Sequence, residues 1–166
     1  MFFATLSYIL KVIEMSLYKQ FKTDNNLEKE GILLEYGTNS QGNPICIRVA
    51  RAGGGNVAYA KRMEARVKPY RRQIQNETME TALVERILKE VYAETVVLGW
   101  ENVEDENGNP LPFTTENCIK LFDDLPDLFN DLREQAANVA LFREEVLEND
   151  LGNSGKSSAT GSSKGR

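Results

Sequence analysis

Residues 31–56 read GILLEYGTNSQGNPICIRVARAGGGN, and this segment determines the expected fold class. Two short runs rich in branched residues, GILLEY (31–36) and ICIRVA (45–50), flank eight residues that each suit a turn. Within the second run every other residue is isoleucine or valine, so one face of a strand can pack while the other meets water. The pattern predicts a β-hairpin joined by a loose loop.

After the hairpin, apolar residues recur at helical spacing, and capping residues and prolines divide the pattern into about four helices. The predicted spans are 56–75, 78–98, 114–122 and 126–148. Pro69 lacks the N–H that the preceding turn needs, so the first helix should kink or split near that residue. The expected fold class is α+β and mainly α, with an N-terminal β-hairpin, about four helices and a disordered C-terminal tail.

The chain of 166 residues divides into three parts. Residues 1–15 form an apolar N-terminal extension, residues 16–150 a single domain, and residues 151–166 a flexible tail of Gly, Ser and Lys. The extension is too short to cross a bilayer of about 30 Å as a helix and lacks a secretory cleavage site, so we expect no membrane insertion. Met15 is an alternative start, because codons for residues 11–14 can form a ribosome-binding site ahead of it.

The composition excludes several function classes. The chain has no histidine and two cysteines, Cys46 and Cys118. Without an imidazole neither a Ser-His-Asp nor a Cys-His nucleophile can form, and two cysteines make neither a disulfide framework nor a four-ligand zinc site. An enzyme would have to be built from carboxylates, lysine, tyrosine or backbone donors, and catalysis is the least favoured class of function. We expect no enzyme, cofactor, metal or small-molecule substrate, and the cysteine count indicates a reducing cytoplasm.

Charge is segregated along the chain, although the net charge is only −5. Residues 48–76 carry eight bases and one acid, whereas residues 77–150 carry 19 acids and five bases. The two stretches can attract each other across the fold, or each can face a separate partner. The sequence leaves both arrangements open.

The basic helix predicted over residues 56–75 has two interpretations. Arg62, Arg66 and Arg71, with interleaved tyrosines, match the pattern of single-strand nucleic-acid binders. The alternative is a helix face that is solvated or meets the acidic half of the same chain, and the sequence pI near 5.0 favours this alternative. We expect no nucleic-acid partner, and nucleic-acid binding through this helix is a rival hypothesis.

Two further segments have the composition of a ligand site. Residues 53–55 are three glycines between a strand and a helix, near Arg48 and Arg51, which suits an anion cradle or a hinge. Four aspartates within residues 123–131 lie close enough in sequence to share a proton or a cation, or to solvate a helix start. The hinge and the helix start are favoured, because no nucleophile, base or ribose-binding acid accompanies either segment.

Residues 16–148 resemble the tail assembly chaperone family of long-tailed, siphovirus-like bacteriophages. The similarity runs through SLYKQFKTDNNLEKEGILLEYG (16–37) and IRVARAGGGNVAYAKRMEARVKPYRR (47–72). It continues through residues 88–144, where ENVEDENGNPLPFTTEN (101–117), a short helix rich in Phe and Leu and a helix that starts with Pro are the most characteristic part. These features contain no catalytic signature, so the resemblance rests on their order along the chain.

The resemblance implies a non-enzymatic helper from a phage or a prophage. Such a helper is made late in infection in the bacterial host cytoplasm and is absent from the mature virion. Members of the family bind the tape measure protein, keep it soluble and promote polymerisation of the tail tube protein. The family commonly makes a longer product by programmed frameshift, and Gly155 followed by Lys156 is compatible with the slippery codons that this requires.

Aromatic side chains are the candidates for contact with such a client, because they supply much of the contact energy at protein interfaces. The alternative for each ring is the protein core, and we expect at least three of the five rings to lie there. A homo-oligomer is also expected, with the positive segment of one copy on the negative segment of the next. A structural minor tail or tail-completion protein that stays in the virion is a rival function. The partner-binding candidates are Trp100, Phe113, Phe122, Phe129, Phe142, Arg62, Arg66 and Arg71.

Overall fold

The structure is a computed structural model that describes residues 16–143. The predicted N-terminal extension (1–15), the alternative start at Met15 and the predicted tail (151–166) lie outside the described residues. The elements in chain order are α1 (Leu17–Phe21), α2 (Asn25–Glu30), β1 (Ile32–Thr38), β2 (Pro44–Val49), α3 (Val57–Val67), a 3-10 turn (Lys68–Tyr70), α4 (Arg71–Gln75), α5 (Thr81–Thr95), β3 (Val97–Glu101), α6 (Thr115–Asp124), α7 (Pro126–Ala137) and a second 3-10 turn (Val139–Phe142).

The fold is α+β and mainly helical, which confirms the expected class. Its sheet has three antiparallel strands in the order β1-β2-β3, and β1 and β2 form the predicted hairpin. Asn39 builds the loop of the hairpin, because its Oδ1 accepts hydrogen bonds from the backbone N–H groups of Gln41 and Asn43, at 3.0 and 2.9 Å. Gly42 closes this loop with a φ of 81°, a conformation that glycine adopts without strain.

Two short helices precede the hairpin and were not predicted. The Oδ1 atom of Asp24 accepts hydrogen bonds from the N–H groups of Asn26 and Leu27, at 2.7 and 3.1 Å, and thereby caps α2. Helices of five and six residues contain too few turns to show an apolar period. The local signals that the sequence offers for α2 are therefore its two ends, the capping Asp24 and Gly31, which ends the helix with a φ of 82°.

The predicted split in the basic helix is confirmed. Asn56 caps α3, and its Oδ1 accepts a hydrogen bond of 3.3 Å from the N–H of Tyr59. The helix then ends at Val67, a 3-10 turn contains Pro69, and α4 continues the chain. Proline interrupts the helical hydrogen bonds here as expected.

The prediction that the second helix extends over residues 78–98 was wrong at its C-terminal end. α5 ends at Thr95, and the following residues form β3, in which Trp100 lies opposite Ile47 of β2. Val96 and Val97 continue the apolar pattern of the helix, so periodicity alone does not separate the two elements. Pairing with β2, about 50 residues earlier in the sequence, gives this segment its strand conformation.

The last predicted helix, 126–148, also ends earlier than expected. α7 stops at Ala137, and Asn138 leaves helical geometry with a ψ of 104°. The side chain of Asn138 then caps the second 3-10 turn, which buries Phe142 completely. Residues 144–148 of the prediction lie outside the part of the chain that the structure describes.

The core lies between the inner face of the sheet and three helices, α5, α6 and α7. Val49 from the sheet, Phe122 from α6 and Leu132 from α7 are at most 1% exposed there. These helices are amphipathic and present polar residues to solvent on the other side. Between residues 16 and 143, no helix is long and apolar enough to cross a membrane.

Candidate protein-binding surface

Residues 103–111, named the ribbon, follow β3 and fold back on themselves through backbone hydrogen bonds. They form the centre of the candidate protein-binding surface. The N–H of Leu111 donates to the carbonyl of Val103 at 2.9 Å, and the N–H of Asp105 donates to the carbonyl of Asn109 at 2.8 Å. Gly108 makes the turn with a φ of 78°. The exposed turn predicted in this segment is therefore confirmed.

Hydrogen bonds fix the ribbon to the sheet. The indole N–H of Trp100 donates to the carbonyl of Leu111 at 2.7 Å. The hydroxyl of Ser40, in the loop between β1 and β2, donates to Glu104 at 2.6 Å, and the side-chain amide of Asn102 donates to the carbonyl of Pro44 at 2.7 Å. Anchored on both sides, the ribbon presents a preformed surface.

The aromatic pocket lies on one side of the ribbon. The rings of Trp100 and Phe113 meet edge to face, with centroids 5.0 Å apart and an interplanar angle of 82°. Both side chains remain partly exposed, so two aromatic surfaces are accessible from solvent. The other residues that line the aromatic pocket are Asn39, Gln41, Asn102, Val103, Glu104, Pro110, Leu111 and Pro112.

A second cavity, named the leucine groove, lies beside the aromatic pocket. The two cavities share Glu104 and Leu111. Three leucines provide its apolar lining, and Leu125, at the junction of α6 and α7, is 48% exposed. Four acids and one lysine surround the leucines. The full lining is Glu104, Asp105, Glu106, Leu111, Asn117, Lys120, Leu121, Asp124 and Leu125.

Hydrogen bonds stabilise the charged form of one acid of the leucine groove, Asp105. A hydrogen bond from the N–H of Asn109, with a further one from Asn107, holds the pKa of Asp105 below its ordinary value. Lys120 contacts Asp124 at 2.5 Å, and this hydrogen bond raises the pKa of the lysine. With four carboxylates and one ammonium, the leucine groove has a net negative charge.

Three of the five candidate aromatic rings lie in the core. Phe122, Phe129 and Phe142 are between 0% and 4% exposed, and the centroids of Phe122 and Phe129 are 4.6 Å apart. Buried rings contact no partner while the domain is folded, so the structure removes these three from the candidate surface. Trp100 and Phe113 remain accessible, and they meet in one pocket.

The basic helix α3 faces acids of the same chain. The guanidinium of Arg62 pairs with Glu94 of α5, and that of Arg66 pairs with Glu90 of the same helix. The hydrogen bond to Glu94 raises the pKa of Arg62, and the same bond lowers the pKa of Glu94. Here the basic and acidic stretches attract each other across the fold. Arg71 differs, because its side chain is 62% exposed and lies 3.8 Å from the exposed Glu64.

The three glycines at residues 53–55, here named the glycine loop, lie against a buried carboxylate of the same chain. Glu28 of α2 is 1% exposed, pairs with Arg51 and accepts a hydrogen bond of 2.5 Å from the N–H of Gly55. Burial raises the pKa of this carboxyl, but hydrogen bonds from Thr23, Arg51 and Gly55 outweigh that effect and lower it. Two of the donors that suited an external anion, the Arg51 guanidinium and the N–H of Gly55, are therefore directed at Glu28, whereas Arg48 donates to the carbonyl of Gly31 at 3.3 Å.

Of the four aspartates predicted as a possible carboxylate cluster, three have separate partners. Asp123 contacts Lys89 at 2.8 Å, Asp124 contacts Lys120, and Asp131 accepts a hydrogen bond of 2.6 Å from the hydroxyl of Tyr36. The remaining member, Asp127, lies in the first turn of α7, where negative charge is favourable. Among residues 16–143, no group of three or more acids and cysteines is arranged to hold a metal ion.

Much of the chain matches the model of a known protein family. A family model described as YdaY prophage protein matches residues 54–153, which is more than half of the chain. The matched region contains α3, the ribbon, Trp100 and Phe113 of the aromatic pocket, and the whole leucine groove. The comparisons with curated proteins and with solved structures gave no match.

Proposed function

Because the chain belongs to the YdaY prophage protein family and is therefore phage-derived, we propose that it is a tail assembly chaperone. In this role it binds the tape measure protein in the bacterial host cytoplasm, keeps it soluble and promotes polymerisation of the tail tube, without catalysing a reaction. The order of motifs along residues 16–148 supports this role. The aromatic pocket is the structural observation that carries it.

The aromatic pocket fits an apolar helix stripe. A tape measure protein is a long helical chain, and an amphipathic helix typically docks an apolar face into a groove on its partner. Trp100 and Phe113 offer two rings at right angles, and hydrogen bonds hold the ribbon that carries them. Because the pocket is preformed, little conformational entropy is lost when a client binds.

The ion pairs of α3 favour a protein client over a nucleic acid. Arg62 and Arg66 would have to exchange their carboxylate partners on α5 for phosphates. Breaking pairs that are partly buried reduces the gain from phosphate contacts. The aromatic pocket needs no such exchange, since its rings are already accessible.

Co-expression with the tape measure chain of the same prophage tests the proposal. We expect a large rise in the soluble fraction of the tape measure chain. Phe113→Ala should reduce this effect by weakening the contact at least about tenfold. Pro112→Glu places a carboxylate at the exposed edge of the pocket and should act in the same way without touching the core.

A matched control uses Leu33→Ala, which truncates a side chain that is 50% exposed on another face of the sheet. It should leave the soluble fraction unchanged. If wild-type protein leaves the tape measure chain insoluble, the proposal is wrong. If mass analysis finds the protein in purified virions, it is a structural tail component instead.

A further inference from the structure

α4 has no buried residue, as is also true of α1 and α3, and together with the 3-10 turn before it α4 carries concentrated positive charge. The basic arm is defined as residues 68–75, the 3-10 turn and α4. Every residue of α4 is exposed, and Lys68, Arg71 and Arg72 shortly precede Ile74, whose side chain is 45% exposed. A single exposed apolar residue is ordinary on a protein surface, so it is the concentrated positive charge beside Ile74 in the sequence, together with a complementary acidic surface elsewhere on the fold, that indicates docking.

The leucine groove has the complementary chemistry. Its leucines provide an apolar seat, and Glu104, Asp105, Glu106 and Asp124 surround that seat with negative charge. Leu125 is 48% exposed, so the seat is open to solvent. The basic arm of the same copy does not occupy it, because all five residues of α4 are exposed.

We propose that the basic arm of one copy docks in the leucine groove of a second copy. Ile74 packs on Leu121 and Leu125, while Arg71 and Arg72 lie against the acids of the groove. Apolar and charged parts of the two surfaces match, and both surfaces belong to every copy. This inference concerns self-association and does not depend on the identity of the client.

The contact joins two different surfaces, so it is heterologous. A chain of such contacts leaves an unoccupied groove at one end and an unoccupied basic arm at the other, and it grows into a ring or a helical filament. An arm of eight residues buries less than the roughly 1,200 Å² of a standard interface, so each contact is weak. Assembly should therefore require high protein concentration and low salt, since the Debye length shortens to about 10 Å at 0.1 M salt and to about 3 Å at 1 M, which weakens the attraction between exposed charges.

Sedimentation of the full chain at low and high salt tests the proposal. At low salt we expect species larger than a monomer, and high salt should dissociate them. Ile74→Asp in the basic arm and Leu125→Asp in the leucine groove should each weaken self-association at least about tenfold. Both positions are exposed, and aspartate suits Leu125 because this residue is the N-cap of α7.

A mixture of the two variants gives the sharpest result. Ile74→Asp keeps an intact groove and Leu125→Asp keeps an intact arm, so a one-to-one mixture can form only one productive contact. We expect a heterodimer and no further growth. The matched control is Val57→Asp, which makes the same kind of change at a position 54% exposed at the start of α3, and it should assemble like the wild type.

Several results would overturn the proposal. These are a wild-type chain that stays monomeric at low salt, variants that assemble like wild type, and a mixture that stays monomeric or forms long polymers. A monomer in which Leu125→Asp reduces only binding of the tape measure chain would assign the leucine groove to the client. A monomeric protein that still solubilises its client would overturn self-association alone, and the proposed function would stand.

Discussion

Removal of the Glu28 carboxylate should destabilise the domain strongly. Glu28→Ala leaves the Arg51 guanidinium and the N–H of Gly55 without their acceptor in an enclosed site. Breaking a buried ion pair by removing one partner costs about 3–5 kcal/mol. The Arg51 side chain is 20% exposed and can recover some hydration, so we expect a loss of about 3 kcal/mol in the free energy of unfolding.

Urea unfolding followed by circular dichroism measures this loss, and the melting temperature should fall by about 10 °C. Glu30→Ala, at an exposed position of the same helix, is the control and should change stability by less than about 0.5 kcal/mol. A loss below about 1 kcal/mol for Glu28→Ala would refute the reasoning. Stabilisation of the wild type by phosphate or a nucleotide would also refute it, because the glycine loop would then accept an external anion.

Three further predictions concern pH, the glycine loop and the thiols. Folding lowers the pKa of Glu28, so the contribution of its carboxylate to stability is complete above the ordinary pKa of 4.5 and disappears as pH falls through the folded pKa. The difference in the free energy of unfolding between wild type and Glu28→Gln, measured by urea unfolding, should therefore shrink in acid. Gly55→Ala should lower the melting temperature, because its Cβ would lie 2.5 Å from Oε2 of Glu28, whereas Gly99→Ala has no atom within 4 Å and serves as the control; equal melting temperatures would contradict the packing described for the loop. Burial raises the pKa of Cys118 to about 12 and also raises that of Cys46, so a thiol reagent should label both only after unfolding, and rapid labelling of the native protein would show that these sites are open.

The elements whose conformation depends on residues adjacent in the sequence could be predicted from the sequence. The hairpin follows from eight turn-forming residues between two apolar runs, and the split of the basic helix follows from Pro69. β3 could not be predicted in the same way. Its residues continue the apolar pattern of α5, and its conformation depends on pairing with β2, which is distant in the sequence.

The candidate surface was partly predictable. The sequence marks Trp100 and Phe113 as candidates for contact with a partner, and it predicts an exposed turn between them. The leucine groove was missed because Leu111, Leu121 and Leu125 lie in a ribbon, a helix and a helix junction, so no sequence period connects them. The enclosure of Glu28 by the glycine loop was missed for the same reason, since the contact joins segments 27 residues apart.

Fluorescence of Trp100 provides the most direct measurement of the central claim, because this residue is the only tryptophan in the chain and lines the aromatic pocket. Segments of the tape measure chain that lack tryptophan would be titrated into the purified protein. If a client helix covers the pocket, the emission should move to shorter wavelength, quenching by acrylamide should fall, and both effects should be smaller in Pro112→Glu. Emission that stays unchanged at saturating client, or the absence of any bound segment, would contradict the account.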